Sequence, residues 1–303
     1  MSAMTANRYF VSGVVISLVG AICFSTKAVL VKMAYHSTAV DAVTLLALRM
    51  LFSLPFFVIS AAIASSKSDN IRFTGKQWFQ IAILGALGYY LSSLLDFLGL
   101  QYVSAGIERL ILFIYPTLVL LLSSFFFKKK VTQIQWIAVA ITYAGLLWAL
   151  LGEASIYQET NPDFYKGAFL IFACAITFAL YIVGSGAMIP VVGAAKFNSY
   201  AMTFACIGVL FHFYFTADTS LFNLDWAVYG YSLLMAILST VIPSYLVTEG
   251  IKRIGSGNAA IVGSIGPVST IVQAYFLLAE PIFAAQIFGT ILVLMGVVLI
   301  GKK

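Results

Sequence analysis

Apolar residues along this chain gather into long runs separated by short polar joins. A helix needs about 20 mostly apolar residues to cross a bilayer. Ten such runs stand at 10–33, 41–64, 77–99, 103–126, 131–150, 165–187, 196–217, 226–248, 255–278 and 282–300. The longest breaks are 65–76 and 151–164, and the second divides the chain into five runs and five runs. The pattern predicts an all-α integral membrane protein of ten transmembrane helices. Residues 1–150 form a first five-helix unit, 151–164 an extracytoplasmic linker and 165–303 a second five-helix unit. One run is not uniformly apolar: Tyr89, Ser92, Ser93 and Asp96 stand at i, i+3, i+4 and i+7 of the third. That spacing puts a polar stripe on one helix face, which must meet protein or water rather than lipid.

Composition sharpens this picture. Hydrophobic residues make up 62% of the 303 and charged residues only 9%, against roughly 25% charged in a soluble domain, which excludes a water-soluble globule. The net charge of +6 does not point to nucleic acid, because the cations sit between apolar runs and form no stripe. With the N-terminus inside, the inner joins hold twelve cations, from Arg8 to Lys303, and the outer joins only Lys32 and Lys166. That bias follows the positive-inside rule and predicts both termini to be cytoplasmic. Cys23, Cys174 and Cys206 all lie within apolar runs and read as packing thiols. The first run lacks a small-residue cleavage site and reads as a retained helix rather than a signal peptide.

The chain also repeats itself. GLQYVSAGIERLILFIYP at 99–116 is echoed by GIKRIGSGNAAIVGSIGP at 250–267, a separation of 151 positions. At that separation Gly99, Gly106, Ile114, Pro116, Phe125, Gln135 and Gly145 meet Gly250, Gly257, Ile265, Pro267, Phe276, Gln286 and Gly296 without a gap. Five helices per unit is an odd number, so the second unit enters the membrane from the opposite side. Inverted repeats of this kind are a mark of secondary transporters. Two half-structures of opposite orientation can exchange conformations and open a central site to each side in turn.

Gly99–Pro116 with the following Lys128–Lys130, Arg49 in the second helix and the closing PIFAAQIFGTILVLMGVVLIG together resemble the drug/metabolite transporter superfamily, EamA-type, over essentially the whole chain. The resemblance implies a helical carrier of small organic metabolites, often amino acids or related compounds. It also implies a central cavity lined by helices 1, 3 and 4 and their counterparts 6, 8 and 9, with helices 5 and 10 at the periphery. Helix 4 departs from the commonest pattern by carrying Glu108–Arg109 where many members have small or neutral residues.

Charges inside the hydrocarbon are costly and point to function. Lys27, Arg49, Asp96, Glu108 and Arg109 lie well inside predicted spans, all in the first unit. Asp96, Glu108 and Arg109 have Val247, Ala259 and Ala260 as counterparts, so the scaffold is symmetric and its charge is not. Glu108 and Arg109 point roughly 100° apart. Either Glu108 faces the cavity while Arg109 pairs with Asp96, or the reverse. Tyr115 shares the face of Glu108. A carboxylate in a partly dry site can carry a proton, which makes Glu108 and Asp96 the proton-coupling candidates. In the second unit Tyr181, Ser244, Asn258 and Ser269 are candidate substrate or gating residues, like Tyr89 and Ser93 in the first. Thr177, Ser185, Thr240, Thr248 and Gln273 are further candidates for the same lining. For all of these second-half residues the alternative is a side chain bonded to its own helix backbone or to a neighbouring helix. His212 reads as packing.

Walker, HExxH, GxSxG and dinucleotide motifs are absent, and His36 and His212 have no metal-like spacing. No catalytic residue, metal or cofactor is expected. The sequence thus points to a secondary transporter of an amino-acid-like or other polar, zwitterionic solute, by alternating access in the bacterial cytoplasmic (inner) membrane. Its expected partners are the solute, the bilayer and protons, with no nucleic acid, and it works as a monomer or homodimer. A channel, a non-transporting membrane subunit or an intramembrane enzyme are the alternatives.

Overall fold

The computed structural model describes all residues except 1–2, 67–71, 129, 158–161, 218, 264 and 301–303. Among the described residues every regular element is helical. The first half of the chain runs α1 (Ala3–Ser37), α2 (Ala42–Ser65), α3 (Gly75–Gly85), a π-helical turn π1 (Ala86–Leu91), α4 (Ser92–Gly99), α5 (Ala105–Leu112), α6 (Tyr115–Phe127) and α7 (Gln133–Tyr157). The second runs α8 (Phe164–Val192), α9 (Ala194–Thr216), α10 (Trp226–Ala236), π2 (Ile237–Val241), α11 (Ile242–Val262), α12 (Ile265–Leu278) and α13 (Ala284–Ile300). Among the described residues eight stretches are long and apolar enough to cross a membrane, and α12 and α13 are shorter apolar helices. Large apolar side chains such as Phe125, Trp148, Phe211 and Tyr214 stand exposed on the outside, as a lipid-facing surface requires.

Polar residues in the joins start the helices. Asp41 accepts from the backbone N–H of Val43 and Thr44, both at 2.9 Å, ahead of α2. Thr74 and Gln77 form a reciprocal capping box at α3, Ser104 accepts from Ile107 N–H at α5 and Asp225 from Ala227 N–H at α10. Each cap satisfies a backbone donor that has no partner inside its helix.

The separation of 151 positions read from Gly and Pro holds for whole elements. α3 begins at Gly75 and α10 at Trp226, π1 at Ala86 and π2 at Ile237, and α7 at Gln133 and α13 at Ala284. The long helices cross over between halves. α1 packs on α11 and α12, α8 packs on α4 and α6, α2 packs on α9, and α7 pairs with α13. The last pair touches through glycines: a Cβ on Gly145 would come within 2.8 Å of the Gly289 carbonyl, and one on Gly289 within 2.7 Å of the Gly145 carbonyl.

Four boundaries differ from those the apolar pattern predicts. The third run is interrupted by π1, and the fourth breaks at 113–114 before Pro116. The eighth and ninth runs are joined, because helix continues through Glu249–Ile254 and bends at Gly255 (φ 79°, ψ 159°). The charged GIKRIG stretch has the composition of a loop, yet Arg253 reaches Glu249 at i−4 (2.8 Å) and holds the turn. α7 also runs to Tyr157, into what reads as linker. Residues 158–161 of that linker, and Lys129, lie outside the described residues.

Candidate functional site

A cavity of about 70 Å³ opens among α1, α2, π1, α4, α5, α6, α8, α11 and α12, with room for roughly five to seven waters. Two chemistries line it. The charged lining residues, Lys27, Arg49 and Arg109, all come from the first half, as do Ser92 and Ser93, alongside apolar Ala21, Phe24, Leu112 and Phe113. The second half contributes no charged side chain, its lining being built of residues such as Phe178, Ile182, Val247, Ala259 and Ala260. Aromatic rings close the corner between them. Phe24 stacks on Tyr89 with ring centres 6.3 Å apart, and Tyr115 meets Phe178 edge-on at 5.2 Å.

The π-helical turns shape the polar wall. In π1 the extra residue turns Gly88 and Tyr89 to the cavity, and Gly88 is required because a Cβ there would collide with the Tyr181 ring. In π2 the Thr240 hydroxyl donates to Met235 O, five residues back, at 2.9 Å. It accepts in turn from Arg49 Nε at 2.6 Å. Such single-turn π segments recur at functional sites. Arg49 is 1% exposed and lies over the Phe97 ring, 5.3 Å from its centre.

The buried charges form one network and one remainder. Lys27 Nζ stands 2.6 Å from Asp96 Oδ2 and 3.7 Å from Glu108 Oε1, and Arg109 Nε is 3.6 Å from Glu108 Oε2. Arg109 also donates to Thr270 Oγ1 at 3.1 Å and Phe24 O at 2.9 Å. Among the described residues, no carboxylate oxygen comes within 4.0 Å of Arg49. Both carboxylates have zero exposure and do not line the cavity.

Of the twelve residues singled out from the sequence, Lys27, Arg49, Tyr89, Ser93, Arg109 and Tyr115 line the cavity. Asp96 and Glu108 stand behind Lys27 and Arg109. Of the two arrangements open for residues 108 and 109, neither is realised in full: Arg109 faces the cavity, but Asp96 pairs with Lys27. The other four are off the wall, each for a local reason. Tyr181 packs edge-on against Tyr89 at 5.0 Å. Ser244 donates to Val241 O and accepts from Asn198. Asn258 donates to Ile254 O on its own helix, and Ser269 accepts from Gln273. Thr177, Ser185 and Thr248 likewise bond backbone carbonyls of their own helices. His212 meets Tyr90 Oη through Nδ1 at 2.8 Å.

Thr270 and the Phe24 carbonyl, which hold Arg109, went unrecognised. The only signal for Thr270 was its place between Ser269 and Gln273, and one residue along a helix turns the side chain by about 100°. Ser17, Phe178 and Ala259 also reach the wall without any polar pattern to announce them. Among the described residues no group of three or more His, Cys, Asp or Glu could hold a metal ion.

Known proteins place this architecture. A solved crystal structure superposes with a TM-score of 0.69 at 18% identity, over 96% of this chain and 97% of that one, which shows the shared fold. Among curated relatives, the uncharacterized transporter YcbK of Bacillus subtilis is 31% identical over 288 residues, 93% of this chain and 90% of its own length. The uncharacterized transporter YyaM of the same organism is 25% identical over 232 residues, 76% of this chain and 74% of its own. The model of the EamA-like transporter family matches twice, at residues 11–151 and 165–302. With nearly all of its length matched and its surface built for lipid, this chain is a multi-pass membrane protein of the EamA-like transporter family.

Proposed function

We propose that the chain is a secondary active carrier of a small polar organic metabolite, of amino-acid size, that binds in the central cavity. The two halves, read as inverted five-helix repeats of 1–150 and 165–303 with both termini cytoplasmic, rock to expose the cavity to each side in turn. The observation that carries the reading is the cavity wall, charged on the side from one half and apolar on the side from the other. A solute bridging the two walls couples its binding to their relative position, which is what a carrier requires.

Each residue has a role in this reading. Lys27, Arg49 and Arg109 hold a charged group, Tyr89, Ser93 and Tyr115 orient the solute, and Phe178 and Val247 receive its apolar part. Asp96 and Glu108, behind the cations, are the groups a coupling proton loads. The membrane is the bacterial cytoplasmic membrane, in keeping with the Bacillus relatives, and the working unit is a monomer or homodimer.

Counterflow in proteoliposomes tests the reading, with labelled amino acids and organic acids on one side and excess unlabelled solute on the other. A carrier gives saturable flux accelerated by trans solute. Flux that grows linearly with concentration and ignores trans solute indicates a channel, and no flux for any member of either class indicates a non-transporting subunit. Glu108→Gln and Asp96→Asn should flatten the pH dependence of uptake. Wild-type pH dependence in both variants removes the proton role.

A further inference from the structure

The ionisable side chains that line the cavity are Lys27, Arg49, Arg109, two tyrosines and Cys174. The cations outnumber the carboxylates within reach. Asp96 and Glu108 balance Lys27 and Arg109 at 2.6–3.7 Å, and Arg49 is left over. A guanidinium keeps its charge at any physiological pH. A charge at this depth with no carboxylate in contact is costly, so the wall carries one cation more than its two carboxylates balance.

The free hydrogen-bonding groups point the same way. Arg49 Nη1, Tyr89 Oη and Ser17 Oγ are buried without a partner, and all three residues line the cavity. Each is a donor. Thr240 already holds Arg49 Nε and the Phe97 ring lies against the guanidinium. The guanidinium is thereby oriented with Nη1 left to give. An ammonium group, in contrast, finds no carboxylate on the wall. The face opposite Arg49's half is built of Phe178, Ile182, Val247 and Ala259, which suits a hydrocarbon body.

Resting on the carrier reading above, we infer that the solute is a small organic monoanion, a carboxylic acid with a compact apolar body and no amino group. Its carboxylate binds Arg49 Nη1 with Tyr89 and Ser17 as further donors. Guanidinium–carboxylate pairing of this kind is among the stronger polar contacts a protein makes. The scale of the whole solute, about six carbons with the carboxylate carbon included, follows from the cavity volume of about 70 Å³, a space of roughly five to seven waters.

Three probes with one branched body separate the possibilities: 4-methylpentanoate carries only the carboxylate, leucine both groups, and isopentylamine only the amine. Equilibrium binding to the purified full chain should favour 4-methylpentanoate at least tenfold over leucine and over isopentylamine. Arg49→Gln should weaken 4-methylpentanoate by tenfold or more, while Arg49→Lys, which keeps the charge and loses the planar fork, should fall between. The thermal melt of each variant reports folding, and the three-probe ranking on the wild type stands even where a variant fails to fold. Leucine or isopentylamine binding as tightly as the acid overturns the inference. So does a folded Arg49→Gln that keeps wild-type affinity, or no binding of the acid at all. Any of these leaves the carrier reading to stand or fall on counterflow alone.

Discussion

Lys27 is the residue on which the buried charges depend, because among the described residues it is the cation in contact with both carboxylates, at 2.6 Å from Asp96 and 3.7 Å from Glu108. Removing one partner of a buried pair leaves the other charge uncompensated and costs about 3–5 kcal/mol. Lys27→Met should therefore lower stability by about that amount, since Arg109 is left to serve two acids. Asp96→Asn should cost less, because Glu108 still faces Lys27. In Lys27→Met/Asp96→Asn the remaining pair, Glu108 and Arg109, is balanced again. The double variant should recover about 0.5–3 kcal/mol relative to the sum of the singles. Thermal unfolding in detergent measures the cycle, and simple additivity would contradict the network. That these residues matter was legible from their depth in apolar runs. Which of them face the cavity was not, because rotation about a helix axis is set by packing against neighbours. Glu108 and Arg109 are adjacent in sequence, yet one stands behind the wall and the other on it. Likewise Thr240 and Thr270 became arginine partners only once π2 and α12 had been docked on the first half.

The elements themselves carry breaks where a straight helix would have been simpler. π1 and π2 begin 151 positions apart, as do Ser104 (ψ 159°), which caps α5, and Gly255 (ψ 159°), which bends α11. Both halves thus interrupt their third and fourth helices at matching points. Of these two, Gly255 takes a positive φ, 79°, because the chain arrives there still helical rather than from a loop. With ψ at 159° this region of backbone space is essentially open to glycine alone, and other residues pay roughly 1–3 kcal/mol. Gly255→Ala should lower stability by that amount although nothing lies within 4 Å of its Cβ position. Gly257→Ala, two residues on in ordinary helix and equally open, should be neutral or gain up to about 1 kcal/mol. Equal melting shifts in the two variants would show that the bend is not held by the backbone at 255. Apolar length made the helices readable from sequence. The bends were not readable, because GIKRIG has loop composition while its Glu249–Arg253 pair keeps it helical.

At the scale of the molecule, two contacts stand in corresponding places at opposite ends. A Cβ on Gly13 of α1 would lie 2.7 Å from Arg253 Cβ on α11, and one on Gly167 of α8 would lie 2.6 Å from Tyr102 Cβ just past α4. Tyr102 and Arg253 are again 151 positions apart. Lys32, about 28 Å along α1 from Gly13 at 1.5 Å per residue, donates to Leu100 O beside Tyr102. The two contacts are therefore separated by about the thickness of a bilayer's hydrocarbon core, and each half contributes one helix to both. Sequence made the repeat legible through its glycines and prolines. It could not reveal that the repeats close on one another by exchanged contacts, since no pattern within one half names its partner in the other. If access alternates, each contact must part in turn, and locking either one should stop the cycle. Gly13→Cys/Arg253→Cys and Tyr102→Cys/Gly167→Cys start with Cβ atoms 2.7 and 2.6 Å apart. The paired helices must therefore part by about 1 Å to reach the roughly 3.8 Å of a disulfide, and the oxidised bond is confirmed before uptake is read. Ala149→Cys/Gly289→Cys, with a Cβ separation of 2.6 Å, also joins the two halves, but at the glycine seam of α7 and α13, which stays closed if the halves turn about it, and so serves as the control. Oxidation should reduce proteoliposome uptake at least tenfold in each of the first two variants, with recovery on reduction, and leave the third near its reduced rate. Full transport with either end locked would mean that solute passes without opening that end, and the rocking of the two halves would have to be abandoned.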